Sequence, residues 1–164
     1  MGKTWQEKMV DKKAYPKKLK IEKGFPCYNA LHAIGVNAHD EIVITNASDV
    51  KKIMETVPKG KIITLEQICK SLGKKYKVIA ACSLVAGIHT MTVANAVEEA
   101  KAEGKKDVTP WWRTVKNQGE LNHKFPGGVE AQKKLLEKEG YKFTIKGKKN
   151  IKYFIKDYEK YLIK

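Results

Sequence analysis

The sequence has almost no arginine: of 33 basic residues in 164, all but Arg113 are lysine. It also lacks any run of about 18 apolar residues, so no membrane-spanning helix is expected. The first residues, MGKTWQEKMVDKK, have no apolar centre of the signal-peptide kind, and Gln6 stands where a myristoylation signal needs Ser or Thr. The expected location is therefore the cytoplasm. Cysteine is scarce as well. Cys27, Cys69 and Cys82 are odd in number and form no CxxC pair, which argues against a disulfide framework and for free thiols in a reducing compartment. Cys27, His32 and His39 fit no familiar zinc spacing, so no metal or other cofactor is expected. Internal repeats and low-complexity linkers are absent too.

Positive charge and apolar content dominate what is present. The net charge is +15, with 42% apolar and 9% aromatic residues, a balance that suits a globular domain. The excess falls in three places: residues 1–24 carry +5, residues 61–80 carry +4 and residues 141–164 carry +6. Such a field favours a polyanion, and a nucleic acid fits better than a membrane because no basic amphipathic helix with large apolar residues occurs. A merely solvated lysine-rich surface is the alternative. Arg113 stands apart, since only its planar fork makes bidentate contacts.

Along the chain, residues 4–13 suit a short helix and KLKIE (18–22) a short strand, whereas residues 24–35 show no clean period. EIVIT (41–45) reads as a strand, followed by Ser48 as N-cap of a helix through Thr56. Val57–Gly60 makes a turn. Thr64 and Gln67 form a capping box that opens a helix burying Leu65, Ile68 and Leu72 and stopping near Gly73. After the basic connection KKYK, a second helix is expected from Val78 towards Glu103. Two helices so joined are a helix-turn-helix candidate. The small residues of the second allow close approach, to a groove or to a neighbouring helix. Residues 104–127, broken by Gly and Pro, read as a long ordered loop. A helix over Val129–Lys138 buries Leu135 and Leu136 and ends at Gly140. YKFTIKGKKNIKYFIKD then reads as a hairpin with lysines at its tip, and DYEKYLIK as a short, helical tail.

Three blocks carry a resemblance. VPKGKIITLEQIC (57–69), TPWWRTVKNQGEL (109–121) and FPGGVEAQKKLLEKEG (125–140) resemble, in order, VPxGxVxTYGxIA, IPCHRVI with a following glycine, and xGGLExKxxLLxxEG. These belong to the DNA-binding domain of the alkylguanine-DNA alkyltransferases. The likeness covers roughly half the chain and none of residues 1–50. It implies a mixed α/β, mainly helical fold: a winged helix-turn-helix over 51–164, with a C-terminal β-hairpin wing and a small N-terminal extension over 1–50.

The family's chemistry needs a helix-turn-helix in the minor groove, a tyrosine at its start, an arginine finger on the recognition helix and a cysteine activated through histidine and glutamate. Here Trp111 occupies the cysteine position and Trp112 the histidine position, while Arg113 and Glu139 match the motif. An indole has no nucleophile, so alkyl transfer is not expected. The alkyltransferase-like branch, which also replaces the cysteine, is thought to bind alkylated guanine for repair. Leu65 stands at the tyrosine position and Leu84 where the arginine belongs. A leucine can wedge between bases but makes no hydrogen bonds. The expected former pocket is Pro110, Trp111, Trp112, Arg113 and Glu139. The expected DNA contacts are Leu65, Lys74, Lys75, Lys77, Ser83, Leu84, Gly87, Lys148 and Lys149. The implied partners are duplex DNA, plain or alkylated, and a repair protein, for a monomer. Three readings follow: a lesion sensor whose two indoles stack on an extruded base, a winged helix that does not flip bases, and a domain that kept the fold but left DNA.

Overall fold

The chain begins with a capping box of its own. Thr4 accepts from the Glu7 amide and Glu7 reaches back to Thr4, starting α1 (Trp5–Val10). The computed structural model describes residues 2–12 and 15–164. The helix expected over 4–13 therefore stops at Val10, and Lys13, its expected last residue, lies outside the described residues. Next come β1 (Lys17–Lys20), the short α2 (Tyr28–His32), β2 (Glu41–Ile44) and α3 (Ala47–Glu55). The α3 N-cap is Asn46, not Ser48: Asn46 accepts from the Asp49 amide at 3.0 Å. The Ser48 hydroxyl instead donates to the Met9 carbonyl at 2.9 Å, tying α3 to the end of α1.

β3 (Ile63–Thr64) leads into α4 (Leu65–Tyr76), β4 (Ala80–Ala81) and α5 (Ser83–Ala102). The expected capping box is present, with Gln67 N donating to Thr64 Oγ1 at 3.3 Å and Thr64 N to Gln67 Oε1 at 3.0 Å. Two boundaries differ from the sequence pattern. α4 does not stop at Gly73. It runs on through the supposed connection to Tyr76, and Lys77 ends it in the left-handed conformation. Gly73 is inside the helix because α4 crosses β4 there: a Cβ would lie 2.7 Å from the Ala80 Cα. α5 does not begin at Val78, because Ile79 N and Cys82 N donate to the Glu41 and Val43 carbonyls and hold the segment extended as β4.

That strand joins the N-terminal part to the helix-turn-helix. β1 and β2 pair antiparallel, and β2 pairs parallel with β4, matching Ile42 to Ala80 and Val43 to Ala81. A second small sheet pairs β3 with β5 (Thr114–Val115), parallel. After α6 (Gly128–Lys138), β6 (Phe143–Lys146) and β7 (Lys152–Ile155) form the expected hairpin. The tail makes one 3₁₀ turn at Tyr158–Tyr161, and Leu162 then bridges to Ile62.

Three apolar clusters hold the elements. The central one gathers Val50, Met54, Ile68, Leu72, Val93, Val97 and Trp111 between α3, α4, α5 and the long loop. A second, with Ile21, Leu31 and Ile42, backs the first sheet, and a third, with Leu121, Leu136 and Ile155, seats the hairpin on α6. Among the described residues, no helix is long and apolar enough to cross a membrane.

Candidate nucleic-acid interface

The capping box of α4 and the N-terminal turn of α5 bring Leu65, Ser83, Leu84 and Gly87 to one side of the molecule. Facing them is the loop after β5. Together they enclose a cavity of about 310 Å³, walled by Leu84, Ile88 and Met91 on α5 and by Val115, His123 and Phe125 opposite. Leu84 and Ile88, one helical turn apart, are 51% and 50% exposed at its edge. No lysine or arginine occurs from Val78 to Ala100, so this helix face is apolar. The cations come from the loop: Lys116 and Lys124 line the same cavity. Thr114 also lines it, and its buried hydroxyl has no hydrogen-bond partner among the described residues.

The loop is fixed from behind by a residue that motif reading passes over. Gln132 on α6 is completely buried. Its Nε2 donates to the carbonyls of Trp112 at 3.1 Å and Thr114 at 2.9 Å, and its Oε1 accepts from Asn122 N at 2.8 Å. The available signal was its place at the i+3 position between Val129 and Leu136, a polar side chain on the apolar face.

The expected pocket residues do come together, but as packing. Trp111 is 1% exposed, its ring edge-on to Trp112 and Phe125, and its Nε1 donates to Glu98 Oε1 at 2.9 Å. It sits behind Phe125 and does not line the cavity. Trp112 is half-buried, and its Nε1 donates to Glu139 Oε1 at 3.1 Å. The Arg113 fork binds the same carboxylate, through Nε at 3.1 Å to both oxygens and Nη2 at 2.6 Å, while Nη1 donates to the Val57 carbonyl at 2.8 Å. Pro110 is buried at the head of this turn. The expectation that both indoles face an extruded base is therefore corrected: each is held by a carboxylate, Trp111 inside the core.

The lysines expected at the helix-turn-helix lie within it but away from the cavity. Lys74, Lys75 and Lys77 are at the far end of α4, about 14–18 Å along its axis from Leu65. Lys75 is also engaged, donating to the buried Asp49 carboxylate at 2.7 Å, which Tyr76 also binds through its hydroxyl. Burial opposes ionisation of Asp49, but these two partners outweigh it and hold the carboxyl below its ordinary range. Lys148 and Lys149 are exposed in the turn between β6 and β7.

The thiols lie inside the protein. All three cysteines are free and buried, and burial first of all pushes Cys27 and Cys69 up to about 12, so both stay protonated. His89 is partly buried: burial lowers its pKa, and the ring contacts the Thr45 carbonyl at 2.7 Å.

No curated protein matches the chain. Two crystal structures are similar to it, each at 20% identity over 72% of this chain and 94% of theirs. One is S. pombe Atl1 in complex with damaged DNA containing O6-carboxymethylguanine, with a TM-score of 0.49. The other is S. pombe ATL in complex with DNA, with a TM-score of 0.44. Residues 46–141, more than half of the chain, match the family described as 6-O-methylguanine DNA methyltransferase, DNA binding domain. The helix-turn-helix, the loop carrying Trp111 and α6 all fall within that stretch, and the protein belongs to this family.

Proposed function

We propose that the protein binds duplex DNA and holds an O6-alkylated guanine in the cavity beside Leu65 and Leu84 without transferring the alkyl group. The cavity carries this reading. About 310 Å³ is at the small end of ligand sites and suits a single base with a small substituent. Its walls are largely apolar, and the unpartnered Thr114 hydroxyl and the His123 ring offer a few polar groups for orientation. The absence of transfer rests on Trp111 at the position of the acceptor and on the buried, protonated thiols. Residues 51–164 are the DNA-binding unit, and residues 1–50 an extension that buttresses it through the shared sheet. Leu65, Ser83, Leu84 and Gly87 contact the DNA, and Lys74 and Lys77 meet phosphates at its edge. Lys75 contributes only what its bond to Asp49 leaves free. The protein acts as a cytoplasmic monomer that marks the lesion for a repair protein; free thiols suit a reducing compartment, and a charge of +15 opposes self-association.

A second reading has its own support. Leu84 cannot make an arginine finger's hydrogen bonds, and Arg113 is fully engaged by Glu139 and Val57. On that reading the winged helix binds DNA without extruding a base.

One substitution separates the two. A Cβ at Gly87 would lie 3.7 Å from Leu65, in ordinary contact, so a longer side chain projects into the cavity without disturbing α5. Gly87→Leu should lower affinity for an O6-methylguanine duplex more than for an unmodified one in fluorescence anisotropy, and so remove the preference. Unchanged preference would place the lesion elsewhere. Tryptophan quenching is a poor readout, because Trp111 is shielded from any ligand.

A further inference from the structure

The hairpin carries more charge than its own fold uses, although Lys146 stands 4.6 Å over the Phe154 ring. From Lys142 to Lys156 there are six lysines and no acidic residue. Lys146 and Lys152 face each other across the strands, an arrangement that destabilises a ladder. Among the described residues, only Lys152 of this hairpin has an ion-pair partner, Glu120 at 3.7 Å. The apolar face is equally unfinished at the tip. Phe143, Tyr153 and Ile155 share one face and pack on Leu136 and Val129. Towards the turn the same face presents Ile145 and Ile151, 63% and 53% exposed, past the end of that support.

This tip is continuous with the cavity. A cleft of about 510 Å³ runs between Lys149–Tyr153 and the loop after β5, and Lys116 and His123 line both spaces. We propose that the β6–β7 hairpin is a second DNA-binding arm. It lies along the duplex on one side of the lesion, with Lys146, Lys148 and Lys149 on phosphates and Ile145 and Ile151 against the groove wall. Exposed apolar residues among cations are what a groove-entering element needs. The arm lies outside the stretch matched to the family, residues 46–141. Duplex DNA is favoured over an acidic protein because the arm continues the edge of a site in a DNA-binding domain. Each strand of four residues spans about 13 Å, or about four base pairs. The inference rests on the proposed function for the position of the lesion.

The test uses the full chain, its Lys146→Gln/Lys148→Gln/Lys149→Gln variant and duplexes containing one O6-methylguanine. The flanks are short on both sides, or extended by about six base pairs on one side or the other. The unsubstituted protein should gain affinity from extension on one side only. The variant should show no such gain and should bind the shortest duplex like the parent. Its loss of affinity on the long duplex between about 50 and 200 mM salt should be smaller by about fortyfold, as expected for three lost phosphate contacts. Ile145→Ser/Ile151→Ser should reduce the one-sided gain without changing the salt slope. A triple variant with the parent's one-sided gain and salt slope overturns the arm while leaving lesion binding intact. An arm-dependent gain that is equal for extension on either side, and equal in duplexes lacking the lesion, overturns lesion recognition and leaves the arm. Binding to acidic polypeptide but to no duplex overturns both.

Discussion

Arg113 uses its fork on three sides, Nε and Nη2 making three bonds to Glu139 and Nη1 one to the Val57 carbonyl, with the Arg113 and Glu139 side chains only 14% and 9% exposed. Breaking such a pair leaves a buried carboxylate uncompensated, which costs about 3–5 kcal/mol. Arg113→Ala should lose that much in urea unfolding, and Arg113→Lys an intermediate amount, because an ammonium cannot reach all three acceptors. The value of Arg113 was legible in the sequence from its isolation among lysines, but its role was not, since Val57 is 56 residues away. Trp111 shows the same split. That an indole offers no nucleophile was legible; that it lies behind Phe125, bonded to Glu98, depends on packing. Trp111→Cys should therefore lose about 3–5 kcal/mol as a truncation of a buried aromatic. Mass spectrometry should find no alkyl adduct on it after incubation with an alkylated duplex. Asp49 sets a pH limit. Its folded pKa lies below the ordinary value of 3.8, so its contribution is complete above that value and is lost as pH falls through the lower, folded one. Its partner Tyr76 is raised from 10.0 to about 12 by burial and by Asp49, so that contribution is complete below 10 and fades as pH rises through 12. Asp49→Asn should flatten the stability profile at both ends in thermal unfolding.

At the scale of elements, local chemistry and tertiary pairing divide what the sequence discloses. The Thr64–Gln67 box, the turn at Pro58–Gly60, α6 and the hairpin are written in adjacent residues and appear where the pattern places them. β4 is not, because Ala80 and Ala81 become a strand only through the carbonyls of β2. Gly73 looked like a stop for the same reason: its lack of a side chain serves a crossing with β4, not the end of a helix. Two glycine substitutions separate these roles. Gly73→Ala places a methyl 2.7 Å from backbone and should cost about 1–3 kcal/mol. Gly87→Ala has room and should stabilise α5 by up to about 1 kcal/mol. Equal effects in chemical unfolding would contradict the assignment.

At the scale of the whole molecule, a basic exterior surrounds the apolar face of α5, and the N-terminal third is built into the same frame. No motif announced that integration, because it consists of backbone pairing between β2 and β4 and of Glu99 accepting from the Trp5 and Gln6 amides at the head of α1. Removing residues 1–45 should expose the β4 edge and the cluster around Ala80 and Cys82, and give aggregated protein on size exclusion. Under the proposed function, charge accounts for affinity towards any duplex and the cavity for preference, and salt separates them. Phosphate contacts are shared by damaged and undamaged duplexes, so salt weakens both alike. The most direct test is the ratio of affinities for duplexes identical except for one O6-methylguanine, taken at low and at physiological salt. The ratio should be at least about tenfold, one pocket contact's worth at about 1.4 kcal/mol, and should not change with salt. Equal affinity for the two duplexes at both salt concentrations would contradict it.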